Sequence, residues 1–227
     1  MTSPHWPLTG LRLRTPRLEL RWPSLEDLDE LAALAAAGVH DPQVQPFSAA
    51  WTDVAAAELP ASSLRFFWSQ WASWEPANWE LSFAVVHQGH VVGVQALKAA
   101  DFAILREVHT GSWIGRRYQG RGVGTEMRAA VLSLAFDDLR ARYARSTAHS
   151  DNAASLGVSR KLGYVHDGVD HLVVRGQAIN AQRLLLDRAT WQARRPFRVR
   201  VSGLDPCLPW FGADPALAAA TGAPATR

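Results

Sequence analysis

Between Leu11 and Arg21 apolar residues (Leu11, Leu13, then Leu18, Leu20) alternate with arginines and a glutamate. A period of two predicts a strand, and Pro16, which has no N–H to donate, predicts that it lies at a sheet edge or is broken at Thr15-Pro16. The period then changes to that of a helix. Ser24-x-x-Asp27 is a capping-box variant with Glu26, Asp27, Asp29 and Glu30 in the first turns. Leu25, Leu28, Leu31 or Ala32, and Ala35 form one apolar face, and Gly38 ends it, which predicts a helix over 25–37. Pro42, Pro46, Pro60 and Pro76 punctuate the next stretch. Within it Ser62 or Ser63 caps an expected helix through Trp74, with Leu64, Phe67, Trp68 and Trp71 on one face. That segment reads either as a wall over a substrate or as a helix packed on the sheet edge.

Two strands follow, 81–87 and 91–99, joined by a tight turn at Gln88-Gly89, and a third is expected over 107–115. A helix from Val123 to about residue 139 carries two apolar stripes, so it should be buried on both sides. The crossover makes the strand 143–149 parallel to 107–115. Ser150-Asp151-Asn152 has the chemistry of a cap for a helix over 153–162, with Gly163 ending it. Tyr164-Val165 starts another strand, 171–175 continues the hairpin, 182–187 is a last strand, and 190–195 is a short polar helix. A strand over 197–201 precedes a tail rich in Pro, Gly and Ala, expected to fray from Gly212 onward. The fold class is therefore α/β, with a mixed, mostly antiparallel central sheet and helices on both faces. Residues 1–195 form the main domain, and 196–227 a C-terminal strand and flexible tail.

Composition narrows the picture. At 227 residues, 48% hydrophobic and 20% charged, the chain fits one sizeable globular domain. A net charge of +3 with dispersed arginines gives no nucleic-acid footprint. Cys207 is the single cysteine, so no disulfide framework or metal cluster is expected, and it reads as inert rather than nucleophilic. Residues 1–10 lack an apolar leader core, and no run of about 18 apolar residues occurs, which points to a soluble cytoplasmic protein with no membrane contact. Four of ten tryptophans (Trp68, Trp71, Trp74, Trp79) fall in one window and read as core or dimer packing, or as a binding box; a homo-oligomer is compatible with them.

The chemistry concentrates in Ser112–Thr125. A strand end (Trp113, Ile114, Gly115) enters a turn with three glycines in five residues (Gly120, Gly122, Gly124) and runs straight into a helix. Bare glycines allow φ > 0 and close approach, while the helix start offers unpaired N–H groups and a dipole that favours anions. Arg116, Arg117 and Arg121 add forked donors suited to phosphate. These features read as a pyrophosphate cradle. Gly115 and Gly120 have Walker spacing, but Arg121 and Gly122 stand where Lys and Ser/Thr are needed. A dinucleotide fingerprint fails by one residue.

What fits is Gln119-Gly120-Arg121-Gly122-Val123-Gly124, which resembles the acyl-coenzyme-A loop of the GNAT superfamily of N-acyltransferases. Asn152-Ala-Ala-Ser155 with Lys161-Leu162-Gly163-Tyr164 resembles the segment after the family's fifth strand. Thr15-Pro-Arg17-Leu-Glu-Leu-Arg21 resembles the opening of its RimJ/RimL branch, and the chain as a whole is similar to a mycobacterial succinyltransferase of that family. The resemblance implies a GNAT fold with a splayed parallel strand pair, and acetyl-CoA or succinyl-CoA as acyl donor, with no metal. The acceptor it implies is an amine: a protein N-terminus, a lysine or a small amine. By the same resemblance, Trp113, Ile114, Gly115, Arg117, Gln119, Gly120, Arg121, Gly122, Val123, Gly124 and Thr125 would hold the coenzyme, together with Asn152 and Ser155. An N–H near Trp113 or Ile114 would polarise the thioester carbonyl.

Where many family members carry a basic Glu this chain has His109, with Glu107 on the same strand face. Histidine suits a base, its unperturbed pKa being near 6.5, although an exposed edge residue would look the same. Where many members carry an acidic Tyr, Ser159 stands here, able to hydrogen-bond sulfur or to relay a proton through water. Tyr164 reads as a packing residue. These two departures keep a second class open, a non-catalytic acyl-CoA sensor.

Overall fold

The computed structural model describes residues 3–213. The expected first strand is broken at Thr15-Pro16 into a hairpin, β1 (Arg12–Arg14) and β2 (Leu18–Arg21). Helix α1 (Leu25–Ala36) starts on a complete capping box: Ser24 Oγ accepts the Asp27 N–H at 3.1 Å, and the Ser24 N–H donates to the Asp27 carboxylate at 3.0 Å. Helix α2 is Leu59–Ala72, starting before the expected Ser62 or Ser63 and stopping short of Trp74. Pro60 sits in its first turn, where a missing N–H costs nothing, and Ser63 Oγ donates instead to the Leu59 carbonyl inside the helix.

Strands β3 (Asn78–His87) and β4 (His90–Ala100) form the expected hairpin, followed by a one-turn helix α3 (Phe102–Leu105) and β5 (Glu107–Ile114). Helix α4 (Val123–Ser133) continues through a π-helical turn, Leu134–Asp138. Strand β6 (Tyr143–His149), helix α5 (Ala153–Leu162), strands β7 (Val165–Val174) and β8 (Gln177–Asp187) and helix α6 (Arg188–Arg194) complete the second half. The C-terminal strand β9 is Arg200–Ser202, shorter and later than the expected 197–201. Fraying from Gly212 onward falls almost wholly outside the described residues.

These strands form one mixed sheet in the order β7-β8-β6-β5-β4-β3-β2-β1-β9. Among the described residues every neighbouring pair is antiparallel except β5–β6. Strand β7 is an outer strand, bulged between His166 and Val169, with Val165, Val169 and Val173 exposed. One sheet face packs α1 and α2 through Leu28, Leu31 and Phe67 against Ala84, Val86 and Val94. The other buries α4 in the main core beside Phe83, Leu97, Val108 and Trp191, which is why its apolar residues run around two sides.

The tryptophan window is largely core packing. Trp74 and Trp79 are buried and Trp71 stacks on Trp22 at 4.9 Å, while Trp68 is exposed. The indole N–H groups of Trp74 and Trp79 donate to the carbonyls of Trp210 and Phe211, so a 3-10 helix at Asp205–Phe211 is fastened to the same core. Cys207 lies buried in that helix, and burial pushes its thiol up to about 11, which removes it as a thiolate nucleophile at neutral pH.

Phe211 has no exposed surface and meets Trp79 edge-on at 4.9 Å. Phe211→Ala should cost about 3–5 kcal/mol of unfolding free energy. Urea denaturation checks this, and a cost below about 1 kcal/mol would mean that the C-terminal helix is dispensable.

Candidate active site

Strands β5 and β6 are paired only at Glu107–Tyr143, Val108–Ala144 and His109–Arg145. Beyond that register β5 continues to Ile114 along β4, and β6 continues to His149 along β8. The two strands part because each keeps its outer partner, and no ladder bonds close the gap. At the apex the Thr110 hydroxyl reaches across to the Arg145 carbonyl at 3.3 Å and also contacts the Tyr164 hydroxyl at 3.3 Å. The gap opens into a cleft of about 900 Å³ between the glycine loop, the start of α5 and the loop after α1. That is ample for a small-molecule site.

The loop is shaped by its glycines. Gly120 and Gly122 adopt φ of +73° and +78°, and Gly122 is the N-cap of α4. A side chain at Gly122 would be strained there. The first backbone bond into the helix runs from the Glu126 N–H to the Gly122 carbonyl, so the N–H groups ahead of it have no partner in the helix. Gln119, Gly120, Gly122, Gly124 and Thr125 line the cleft with Trp113 and Ile114.

Other members of the expected coenzyme set stand elsewhere. Gly115 is a packing glycine: a Cβ there would lie 2.4 Å from Leu34 Cδ1. Val123 is buried in the core. The Arg117 guanidinium lies over the Tyr118 ring at 4.8 Å, and Arg121 is on the exposed shoulder of the loop, so neither side chain lines the cleft. Gln119 lies on the wall, but its side-chain amide is spent on the Val39 and Ile114 carbonyls at 2.7 and 2.8 Å, tying the loop to the end of α1 and to β5.

The loop is held from below by a contact far apart in sequence. Buried Glu126 accepts from Thr15 Oγ1 at 2.7 Å, from the Arg17 backbone N–H at 2.9 Å and from Arg17 Nε at 2.6 Å. Arg17 also donates to the Arg121 carbonyl at 3.2 Å. The Thr15-x-Arg17 opening motif thus positions the cradle. The sequence reading placed Glu126 only as part of the loop's helix and gave it no role.

The opposite wall is α5. Asn152 caps it, accepting the Ser155 N–H at 3.0 Å, and both residues line the cleft. Arg160 and Lys161 also line it and supply the cations that Arg117 and Arg121 do not. Neither carries a site role in the sequence analysis, where Lys161 enters only through the Lys161-Leu162-Gly163-Tyr164 resemblance. Ser159 is corrected: it faces α4, is buried and does not line the cleft. Its hydroxyl donates to the Ser155 carbonyl at 3.1 Å and accepts from Arg128 at 2.8 Å, so it has no proton free for a leaving group.

Glu107 and His109 share a sheet face with Gly111 and Trp113, the face that α1 and α2 cover. His109 borders a second cavity of about 410 Å³ with Gln70, Ser73, Glu80 and Lys98 rather than lining the main cleft. Desolvation depresses its pKa below the ordinary 6.5, with Glu107, 3.6 Å away, pulling the other way and Lys98 and Arg145 adding to the depression. Glu107 is held by Arg145 at 2.8 Å, which makes it a partner of His109 rather than an independent base. Among the described residues no group of three or more His, Cys, Asp or Glu side chains is placed to hold a metal, and no helix is long and apolar enough to cross a membrane.

Residues 17–165 match the model of the acetyltransferase (GNAT) domain. The chain belongs to this family. Among individual proteins, this GNAT chain is 23% identical over 113 residues to YdaF of Bacillus subtilis (strain 168), an inferred ribosomal N-acetyltransferase; the match covers 49% of the chain and 61% of YdaF, less than two thirds of its length. Its fold is shared by Mycobacterium smegmatis RimJ in complex with CoA-disulfide, with a TM-score of 0.67 at 21% identity, covering 83% of this chain and 91% of that one. It is also shared by RimL, a ribosomal L7/L12 alpha-N-protein acetyltransferase in complex with coenzyme A, with a TM-score of 0.62 at 17% identity, covering 76% and 95%.

Gly122→Val forces a β-branched residue into φ +78° beside Arg17, 3.4 Å from where its Cβ would sit. The substitution should weaken coenzyme A binding on the order of a hundredfold, or about 3 kcal/mol, by calorimetry. Unchanged affinity would show that the loop does not hold the phosphates.

Proposed function

We propose that this protein moves an acetyl group from coenzyme A to a primary amine by direct attack on the thioester, with a protein N-terminus as the preferred acceptor. The observation that carries the reading is the alignment of two features: a glycine cradle at one end of the cleft and the parting of β5 from β6 at the other. Anchored phosphates would lie at the loop amides, and the pantetheine arm would follow the unpaired edge of β5. Because the Gly115 N–H bonds the Val92 carbonyl on β4, strand alternation turns the N–H groups of both Ile114 and Ser112 toward the cleft, and an arm that follows β5 away from the loop would present its thioester carbonyl to the Ser112 N–H, nearer the apex, for polarisation. Asn152 and Ser155 would border the arm from the α5 side.

The acceptor would approach over the face that carries His109. A histidine with a depressed pKa is largely neutral at pH 7 and so free to take the ammonium proton, directly or through water. The protein-amine preference is supported by the ribosomal-protein acetyltransferases among the similar proteins, in agreement with a RimJ/RimL-like branch. Succinyl-CoA is the competing donor. A second reading, a sensor that binds acyl-CoA without turnover, draws on the commitment of Ser159 to Arg128 and Ser155.

Free-thiol release from acetyl-CoA and succinyl-CoA, with N-terminal peptides, lysine peptides and polyamines as acceptors, decides among these. The expected result is amine-dependent release, fastest with acetyl-CoA and an N-terminal peptide. Tight binding without release would establish the sensor. For His109 the acid limb of kcat/KM should fall below pH 6.5, since protonation removes the base and the folded pKa is lowered. Glu107 stabilises the imidazolium, so Glu107→Gln should move that limb to still lower pH. His109→Ala should cut turnover about 10²-fold or more while leaving coenzyme A affinity near wild type.

A further inference from the structure

The cleft contains one cation that the foregoing account does not use. Arg128 projects from the second turn of α4, is only 4% exposed and yet belongs to the cleft wall. Among the described residues it has no carboxylate partner: the nearby acid on its own helix, Glu126, is taken by Arg17 and Thr15. Among the described residues its side chain hydrogen-bonds only the neutral hydroxyl of Ser159, and its Nε has no partner there. Burying an uncompensated guanidinium is unfavourable, and desolvation lowers its pKa, yet an arginine side chain keeps its proton in proteins. The groups that act on it are the Ser159 hydroxyl on α5 and the Tyr164 hydroxyl just before β7, neither of them a carboxylate, and the two acids that line the same cleft, Asp41 and Asp151, form no ion pair with it.

The position of this charge is informative. Arg128 acts electrostatically on the Tyr164 hydroxyl, which contacts Thr110 at the apex where β5 and β6 part. From Ile114, beside Gly124 in the loop, back to Thr110 is four residues of strand, about 14 Å. A thioester arm anchored by its phosphates at the loop would therefore bring its sulfur toward this end of the cleft.

We propose that Arg128 is a catalytic residue, the counter-ion for the thiolate that leaves during acyl transfer; the inference rests on the reading of this cleft as the acyl-CoA site. In the step it serves, the amine lone pair forms the N–C bond at the thioester carbonyl and the C–S bond breaks with its electron pair on sulfur. The ammonium proton goes to His109 or water. The thiolate is held by the guanidinium and takes a proton from solvent after release. Charge stabilisation by Arg128 thereby replaces proton donation from residue 159, whose hydroxyl keeps the guanidinium in place.

The test reads the thiol rather than the rate alone. Coenzyme A bound to wild-type protein is titrated by the ultraviolet absorbance of its thiolate, alongside Arg128→Lys, Arg128→Met and Ser159→Ala. The expected result is a thiol pKa at least one unit below that of free coenzyme A in wild type, partly kept by lysine and lost with methionine, with coenzyme affinity changed less than about tenfold and kcat lowered on the order of 10²-fold or more in Arg128→Met. The ligand-free Arg128→Met protein should melt no lower than wild type, because the lost charge had no carboxylate partner. An undepressed thiol pKa in wild-type complex overturns the proposal while leaving the coenzyme site intact. An unchanged pKa in Arg128→Met with loss of succinyl-CoA turnover alone also overturns it, assigning Arg128 to an acyl carboxylate. Failure of wild-type protein to bind coenzyme A at all removes the underlying reading and this one with it.

Discussion

The site depends on a conflict of pairing. Strand β5 cannot stay with β6 and keep its full register with β4, and β6 is equally committed to β8. Three paired positions satisfy the parallel contact, and beyond them each strand follows its antiparallel neighbour. Backbone groups along the parted edges are left without ladder partners at the one place in the sheet where helices α4 and α5 leave an opening. Thr110, bridging to the Arg145 carbonyl, marks where the sheet stops being continuous. A polar edge exposed in this way is suited to an extended ligand carrying amide groups, since it can exchange water for ladder-like hydrogen bonds.

Such an opening is useful only if the phosphate end is held at a fixed distance from it. The Thr15–Arg17–Glu126 cluster does this by tying the first hairpin to the first turn of α4, and Gln119 ties the other side of the loop to α1 and β5. These bonds fix backbone N–H directions, so the loop amides proposed to hold the phosphates take their positions from contacts elsewhere in the molecule. Positive charge is divided accordingly: Arg160 and Lys161 stand on the outer wall, while Arg128 is sealed deep inside.

Local signals were readable where the chemistry is local. The Ser24 capping box, the period-two strands, the Gly163 stop and the crossover that makes β5 and β6 parallel all follow from neighbouring residues. The glycine loop was legible for the same reason, since positive φ and a helix start leave a direct mark on composition. What escaped depends on distance or orientation. Nothing near Glu126 announces Arg17, more than a hundred residues earlier. The turning of Ser159 toward Arg128, and the loss of Arg117 to the Tyr118 ring, are choices of helix face and rotamer that spacing does not fix. Pro60 misled the placement of α2 because a proline there can punctuate a loop or open a helix with equal ease.

The outer strand β7 carries a consequence of its own. Its exposed valines and ten-residue length would ordinarily invite a neighbouring molecule to prolong the sheet. The irregularity between His166 and Val169, with Asp167 and Asp170 engaged by Arg145 and Arg183, interrupts that template partway along. Any copy adding itself here finds a straight run only from Val169 to Val174, so the bulge shortens the edge open to a neighbour to little more than half of the strand.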